Sequence, residues 1–220
     1  LGTEAVIVAD FAKAKKSDTL VDLGTGCGII PFLMLRDGNL KSAAGVDISE
    51  EAAALAKRTS SELKTDNFTV INSDLNDLKG KIGFGCHTLV TRNPPYKAPN
   101  GGLKNNDSVN AVARHEIACT LEDIISISAR LLETSGRLCM CHRPERLSEL
   151  FTLMSKYKLE PKRMRLVCQR TGKEPWLVLI EGRKCAKTGM RIEPTLYVYE
   201  GDGFSPEMIR IYGPYKEAYL

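Results

Sequence analysis

The sequence predicts an α/β fold of the Rossmann-like type, a doubly wound and mostly parallel sheet with helices on both faces. Three observations predict it. Short apolar runs alternate with amphipathic stretches along most of the chain, which is the pattern of βαβ units. The first apolar run ends in a glycine-rich turn that opens a helix. Two late apolar runs are joined by a connection too short for a crossover, so they are expected to pair antiparallel.

The elements follow in order. An amphipathic helix is predicted from Thr3 to about Lys15, then a strand over Thr19–Gly24. A helix from about Ile30 to Arg36 carries Pro31 in its first turn, where a missing N–H costs nothing. A second strand is predicted over Ala43–Ile48. Ser49 then caps a helix reaching about Leu63, with Glu50 and Glu51 at its positive end. Strands are predicted over Phe68–Asp74 and Thr88–Arg92, then a loop from Lys97 to about Asp107 and helical segments near Val109–Ile117 and Leu121–Leu132. Gly136–Cys141 reads as the fifth strand and Glu145–Tyr157 as a helix, with the antiparallel pair near Arg163–Gln169 and Trp176–Glu181. That makes a seven-stranded sheet. The tail reads as strand-like over Thr195–Glu200 and helical over Pro206–Tyr212. We expect one domain over 1–220: an N-terminal helical segment (1–16), a core (17–182) and a C-terminal extension (183–220).

At 43% hydrophobic and 26% charged, the 220 residues can bury a core without a disulfide or metal staple. The seven cysteines are odd in number and none form a CxxC pair, which argues against both a disulfide framework and a zinc site. Cys139 and Cys141 are expected on one buried strand face. No run approaches the ~20 apolar residues of a membrane span. A reduced, cytoplasmic, monomeric protein with no metal and no membrane partner is expected. The net charge is only +4, but Arg143–Arg191 holds thirteen Lys and Arg against five Asp and Glu. That stretch is either a solvated face or a track for a nucleic-acid backbone.

Four motifs carry chemistry. Val21-Asp22-Leu23-Gly24-Thr25-Gly26-Cys27-Gly28 spaces its glycines as GxGxG, with an acid two residues before the first. Gly24 and Gly26 let the backbone turn and approach a ligand closely. The spacing matches an S-adenosylmethionine turn better than the GxGxxG of dinucleotide folds. Gly45-Val46-Asp47-Ile48-Ser49 places a carboxylate at a strand end, where it can accept both hydroxyls of a ribose. In Asn72-Ser73-Asp74-Leu75, Asp74 can accept from an adenine amino group while Ile48 and Leu75 pack the ring faces. Asn93-Pro94-Pro95-Tyr96 follows a strand directly, and its prolines make a stiff, non-helical turn. The Asn93 side-chain oxygen and the Pro94 carbonyl can both accept from one –NH2 group, and Tyr96 offers a ring face to a planar substrate. The three histidines, His87, His115 and His142, and Trp176 read as structural.

Taken in order and spacing, Asp22 to Gly28, Asp47, Asp74 and Asn93 to Tyr96 resemble the class I S-adenosylmethionine-dependent methyltransferases that act on amino groups. Within that group the chain is similar to the tRNA1(Val) (adenine(37)-N6)-methyltransferase family. Ala113-Arg114-His115-Glu116, His142-Arg143-Pro144-Glu145 and Gly172-Lys173-Glu174 extend the likeness over nearly the whole chain. The resemblance implies methyl transfer from S-adenosylmethionine to an adenine N6 in tRNA, with Thr3 and Glu4 near the methionine end of the cofactor. It implies catalytic roles for Asn93, Pro94 and Tyr96, and cofactor contacts from Asp22, Gly24, Gly26, Gly28, Asp47, Ile48, Asp74, Leu75 and Asn93. Arg143, Lys162, Arg163 and Arg165 are the expected RNA track. The chain departs from the family pattern with Glu4 where Asp is usual and with Arg92 where Cys is common. Release-factor glutamine and ribosomal guanine N2 remain alternative targets, since both present an –NH2 group.

Overall fold

The computed structural model describes residues 2–36, 38, 40–94 and 119–213. Pro95, Tyr96, the predicted loop and helix that follow them, and His115 lie outside these residues. The sheet runs β3-β2-β1-β4-β5-β7-β6-β8, with a ninth strand, β9, also paired to β6. The seven predicted strands are β1 (Thr19–Leu23), β2 (Ser42–Asp47), β3 (Phe68–Asn72), β4 (His87–Arg92), β5 (Leu132–His142), β6 (Leu159–Cys168) and β7 (Pro175–Lys184). β1 to β5 pair parallel, and β7 runs antiparallel to both β5 and β6.

The C-terminal extension contributes more to the sheet than its composition suggested. β8 (Arg191–Ile192) and β9 (Leu196–Tyr197) both lie parallel against β6, making the sheet nine-stranded rather than seven. A small ribbon, β10 (Tyr199–Glu200) with β11 (Gly203–Phe204), follows. β5 also starts earlier than predicted. The helix before it, Leu121–Leu131, passes straight into the strand, and the β4 register shifts between His87 and Leu89 to accommodate the junction.

Helices cover both faces. α1 (Thr3–Ala12), α2 (Ile29–Arg36), α3 (Glu50–Glu62) and the tail helix α6 (Pro206–Tyr212) share one core layer, with Phe11, Ile30, Met34, Ala56 and Met208 buried against Leu20, Leu89 and Leu179. α4 (Leu121–Leu131) and α5 (Leu147–Lys156) share the other, with Ile125, Leu131, Leu150 and Met154 against Val21, Val90 and Met140. Strands buried on both faces explain why their sequences are apolar runs and not alternating ones. Strand order reverses between β1 and β4, and such a switch point leaves a crevice at the carboxyl ends of the strands.

One core layer carries a buried network of charge. Arg137 on β5 bonds Asp18 at 2.8 Å and the last-turn carbonyl of Ala12 at 2.7 Å. Arg163 on β6 bonds Glu181 at 2.8 Å, donates to the Phe11 carbonyl and lies 4.0 Å over the Phe11 ring. Two guanidiniums thus satisfy carbonyls at the carboxyl end of α1, where a cation is favoured. Glu181 also lies 3.6 Å from Arg137, so a single carboxylate serves both arginines.

Removing Glu181 would leave Arg137 to Asp18 alone and Arg163 to Glu193 alone, two buried guanidiniums short of the carboxylate they share. Glu181→Ala is therefore expected to cost about 3–5 kcal/mol of unfolding free energy, measured by chemical denaturation. A loss below about 1 kcal/mol, the range of an exposed pair, would show that solvent already screens the network.

Candidate active site

Asp47, the last residue of β2, organises the switch-point crevice. One carboxylate oxygen accepts the Gly26 N–H at 2.7 Å and the other accepts the Ser49 N–H at 2.9 Å. The glycine turn after β1 and the start of α3 are thereby held by the same side chain. Ser49 in turn caps α3 by accepting the Ala52 N–H. Asn72 at the end of β3 donates to the carbonyls of Asp47 and Ile48, which fixes the β2 end from the other side.

A cavity of about 420 Å³ opens above this arrangement, lined by Gly24, Gly26, Asp47, Ile48, Asp74, Leu75, Arg92, Asn93, Pro94 and Cys119 among others. Ile48 is 47% exposed, a large apolar side chain facing a site instead of a core. Leu75 lines the same cavity, and Asp74 stands beside it as the cap of a short turn, accepting the Asn76 N–H. Burial pushes the Cys119 thiol up to about 11, so it lines the cavity as a neutral group. Carboxylates at two strand ends, apolar side chains between them and open glycine backbone fit a nucleoside joined to an amino acid. Asp47 retains lone pairs for ribose hydroxyls, and Asp74 for an exocyclic amine.

The predicted cofactor residues divide in two. Gly24, Gly26, Asp47, Ile48, Asp74, Leu75 and Asn93 all line the cavity, whereas Thr3, Glu4, Asp22 and Gly28 do not. Thr3 shares a 3.0 Å hydrogen bond with Tyr212 of α6. Gly28 has φ +85, and a Cβ there would lie 2.6 Å from the Phe32 ring, so this glycine serves the packing of α2. Asp22 sits behind the turn at 2% exposure and accepts the Thr91 hydroxyl at 2.6 Å. Burial pushes its carboxyl up to about 6, opposed by the Thr91 bond and the nearby Arg92 charge.

The Asn-Pro-Pro-Tyr motif begins at the end of β4, with Asn93 and Pro94 on the cavity wall. The Cys141 thiol donates to the Asn93 side-chain oxygen at 3.1 Å, and Cys141 is fully buried. Arg92 pairs with Met140 across the strands, which brings the next residue on each strand together. Tyr96 lies outside the described residues. Arg92, a departure from the family pattern in sequence, is a charged residue that closes β4. It is 8% exposed, lines the cavity, and donates to the Leu23 carbonyl at 2.8 Å.

Two residues of the expected RNA track have partners within the chain. Arg163 is engaged at the end of α1, and Arg165 forms a two-pronged pair with Glu207 at 2.8 and 2.6 Å. Both side chains are 11% exposed and each is paired with a carboxylate, Glu181 being buried and Glu207 at the surface. Lys162 rests its ammonium on the Lys187 carbonyl at the surface. Arg143 follows directly after β5, at the cavity end of the sheet. Among the described residues no three His, Cys, Asp or Glu side chains gather in a metal-binding group, and no helix is long and apolar enough to cross a membrane.

A doubly wound sheet with an antiparallel β7, a glycine turn after β1 and strand-end acids at β2 and β3 defines a methyltransferase domain. Residues 14–183 match the methyltransferase domain family, and the chain belongs to it. Among its curated relatives, a tRNA1(Val) (adenine(37)-N6)-methyltransferase of Porphyromonas gingivalis is 28% identical, the match covering 98% of this chain and 88% of that one. One bearing the same name in Parabacteroides distasonis is 26% identical over 82% of this chain and 75% of its own. Among solved structures, a predicted O-methyltransferase of Agrobacterium tumefaciens superposes with a TM-score of 0.75 at 18% identity, covering 94% of each chain. A geranyl diphosphate C-methyltransferase of Streptomyces coelicolor reaches 0.60 at 18% identity, covering 82% of this chain and 79% of its own. At that identity the two structures speak for the fold alone.

The raised Asp22 carboxyl makes a signed prediction. Its folded value lies above the ordinary aspartate value of 3.8, so the protonated group favours the folded state, and that contribution fades as pH rises from about 4 to about 6. Asp22→Asn keeps an acceptor for Thr91 and never ionises. Relative to the unaltered protein, the variant should gain stability across this window, by at most about 3 kcal/mol. Paired denaturation series between pH 4 and 7 read the difference. A flat difference would mean that Asp22 ionises as it does in the unfolded chain.

Proposed function

We propose that this methyltransferase transfers a methyl group from S-adenosylmethionine to the exocyclic N6 of an adenine in tRNA, adenine 37 by the names of its relatives. The observation that carries the reading is Asn93, whose side-chain oxygen is held by Cys141 on the wall of a cavity suited to a nucleoside. The N6 lone pair of adenine is delocalised into the ring, so the free amine is a poor nucleophile. The Asn93 oxygen and the Pro94 carbonyl accept its two N–H groups and draw nitrogen toward tetrahedral geometry. The cofactor supplies a methyl group made electrophilic by its sulfonium. The N–C bond forms as the S–C bond breaks, S-adenosylhomocysteine leaves, and the proton lost from nitrogen passes to water.

A tRNA loop suits this site because its bases can be splayed out at little unpairing cost. A cytoplasmic location would fit a tRNA substrate. β5 and β6 run parallel to β4, so Arg143 and the β6–β7 turn bearing exposed Lys173 open toward the cavity end. We assign the RNA backbone contacts to these residues and not to Arg163 or Arg165.

Asn93→Ala is expected to lower the single-turnover rate at saturating tRNA by about a hundred- to a thousand-fold, with cofactor affinity nearly intact. A near-normal rate with only tRNA affinity lost would overturn the amine-polarising role. Digestion of methylated tRNA should release N6-methyladenosine, and N2-methylguanosine alone would move the target to guanine.

Charge reversal at Arg143 and Lys173 should flatten the log–log salt dependence of tRNA binding by about 0.7–0.9 per lost phosphate contact. Reversal at Arg163 and Arg165 should instead lower stability. Equal salt slopes for the unaltered protein and the Arg143/Lys173 variant would place the track elsewhere.

A further inference from the structure

Arg92 is the cavity residue that the proposed chemistry leaves without a task. A Cβ on Gly24 would lie 1.6 Å from its Nη1, so the guanidinium rests directly on the glycine turn. Among the described residues its only hydrogen bond runs from Nη1 to the Leu23 carbonyl, and Nε is buried with no partner. A guanidinium has five N–H donors, so most of its capacity is unused. Holding one carbonyl does not require a buried cation, because a neutral donor would serve equally well. A tRNA phosphate is an unsuitable partner, since the side chain is 8% exposed and packed against the turn.

The missing partner is an anion small enough to enter the cavity. Asp22 behind the turn and Asp47 at the β2 end attract Arg92 by charge, but among the described residues neither accepts a hydrogen bond from it, so its remaining donors are left for a ligand. The proposed cofactor brings a sulfonium and an ammonium, and both would be repelled by a bare guanidinium. It also brings one carboxylate, on its amino-acid end. Resting on the cofactor reading above, we propose that Arg92 binds this carboxylate, and so selects ligands carrying an intact amino acid over truncated adenosyl thioethers. Guanidinium and carboxylate match in geometry, and the pair offsets the burial of both charges.

The test is a cycle in which protein and ligand are each altered, with affinity read by calorimetry. The ligands are S-adenosylhomocysteine and its analogue with an aminopropyl group, which keeps the amine and lacks the carboxylate. On the unaltered protein, loss of the carboxylate should weaken binding roughly ten- to a hundred-fold. On Arg92→Met, the two ligands should bind within about twofold of each other. If the same ratio appears in both proteins, the carboxylate is met elsewhere and the inference falls. It also falls if Arg92→Met binds S-adenosylhomocysteine more tightly, for then Arg92 obstructs the pocket. Should Arg92→Met fail to fold, the unaltered protein alone still decides, because equal affinity for both ligands overturns the proposal. Failure of S-adenosylhomocysteine to bind the unaltered protein at all would overturn the cofactor reading itself, and this inference with it.

Discussion

The crevice depends on the two oxygens of Asp47, which hold the Gly26 and Ser49 N–H groups from opposite sides. A glycine turn is flexible by composition, and free N–H groups at a helix start are an entropic liability until something orders them. Here a single carboxylate at the end of β2 orders both. Asn72 from β3 then pins the Asp47 and Ile48 carbonyls, so three consecutive strand ends move as one body. An asparagine at position 47 would lose one of the two acceptors. Ligand binding and the shape of the turn are therefore coupled through the same side chain, and neither can be altered alone.

Electrostatics divides the molecule differently from its sequence. The run from Arg143 to Arg191 is strongly basic, yet two of its arginines, Arg163 and Arg165, are paired with Glu181, Glu193 and Glu207. Two of those three acids come from the C-terminal extension, which is why the extension is bound to β6 by charge as well as by β8 and β9. Desolvation makes such pairs weak contributors to stability compared with an apolar core, but strict about partners. They fix α1 and the tail against the sheet. The basic charge left at the surface is correspondingly smaller than the count suggests.

Periodicity made the central strands legible because β1, β5 and β7 are buried along most of their length and read as largely apolar runs. The same reasoning placed Asp47, Asp74 and Asn93 at strand ends, and all three line the cavity. It could not separate Gly24, which meets Arg92 across the turn, from Gly28, which yields to Phe32, since both are glycines of one motif. Nor could it tell paired arginines from unpaired ones, because the partners of Arg163 and Arg165 lie 18 to 42 positions away. Cys141 was legible as a buried strand residue, but its bond to Asn93 depends on the β4–β5 register, which no local pattern encodes.

That register also fixes where Asn93 stands on the cavity wall. Thr91, Arg92 and Asn93 follow one another at the end of β4, and each serves a different neighbour. Thr91 reaches Asp22 behind the turn, Arg92 reaches the Leu23 carbonyl above it, and Asn93 meets Cys141 on the adjacent strand. Parallel pairing to β1 on one side and β5 on the other leaves the last residues of β4 little freedom to shift. Pro94 then prevents the chain from turning helical immediately after Asn93. An amide oxygen aimed at an incoming amine must be held to a fraction of an ångström, and a loop would not hold it so well. Here the constraint comes from a central strand of the sheet, so the placement proposed for Asn93 would be inherited from the hydrogen-bonded ladder and not built separately at the site.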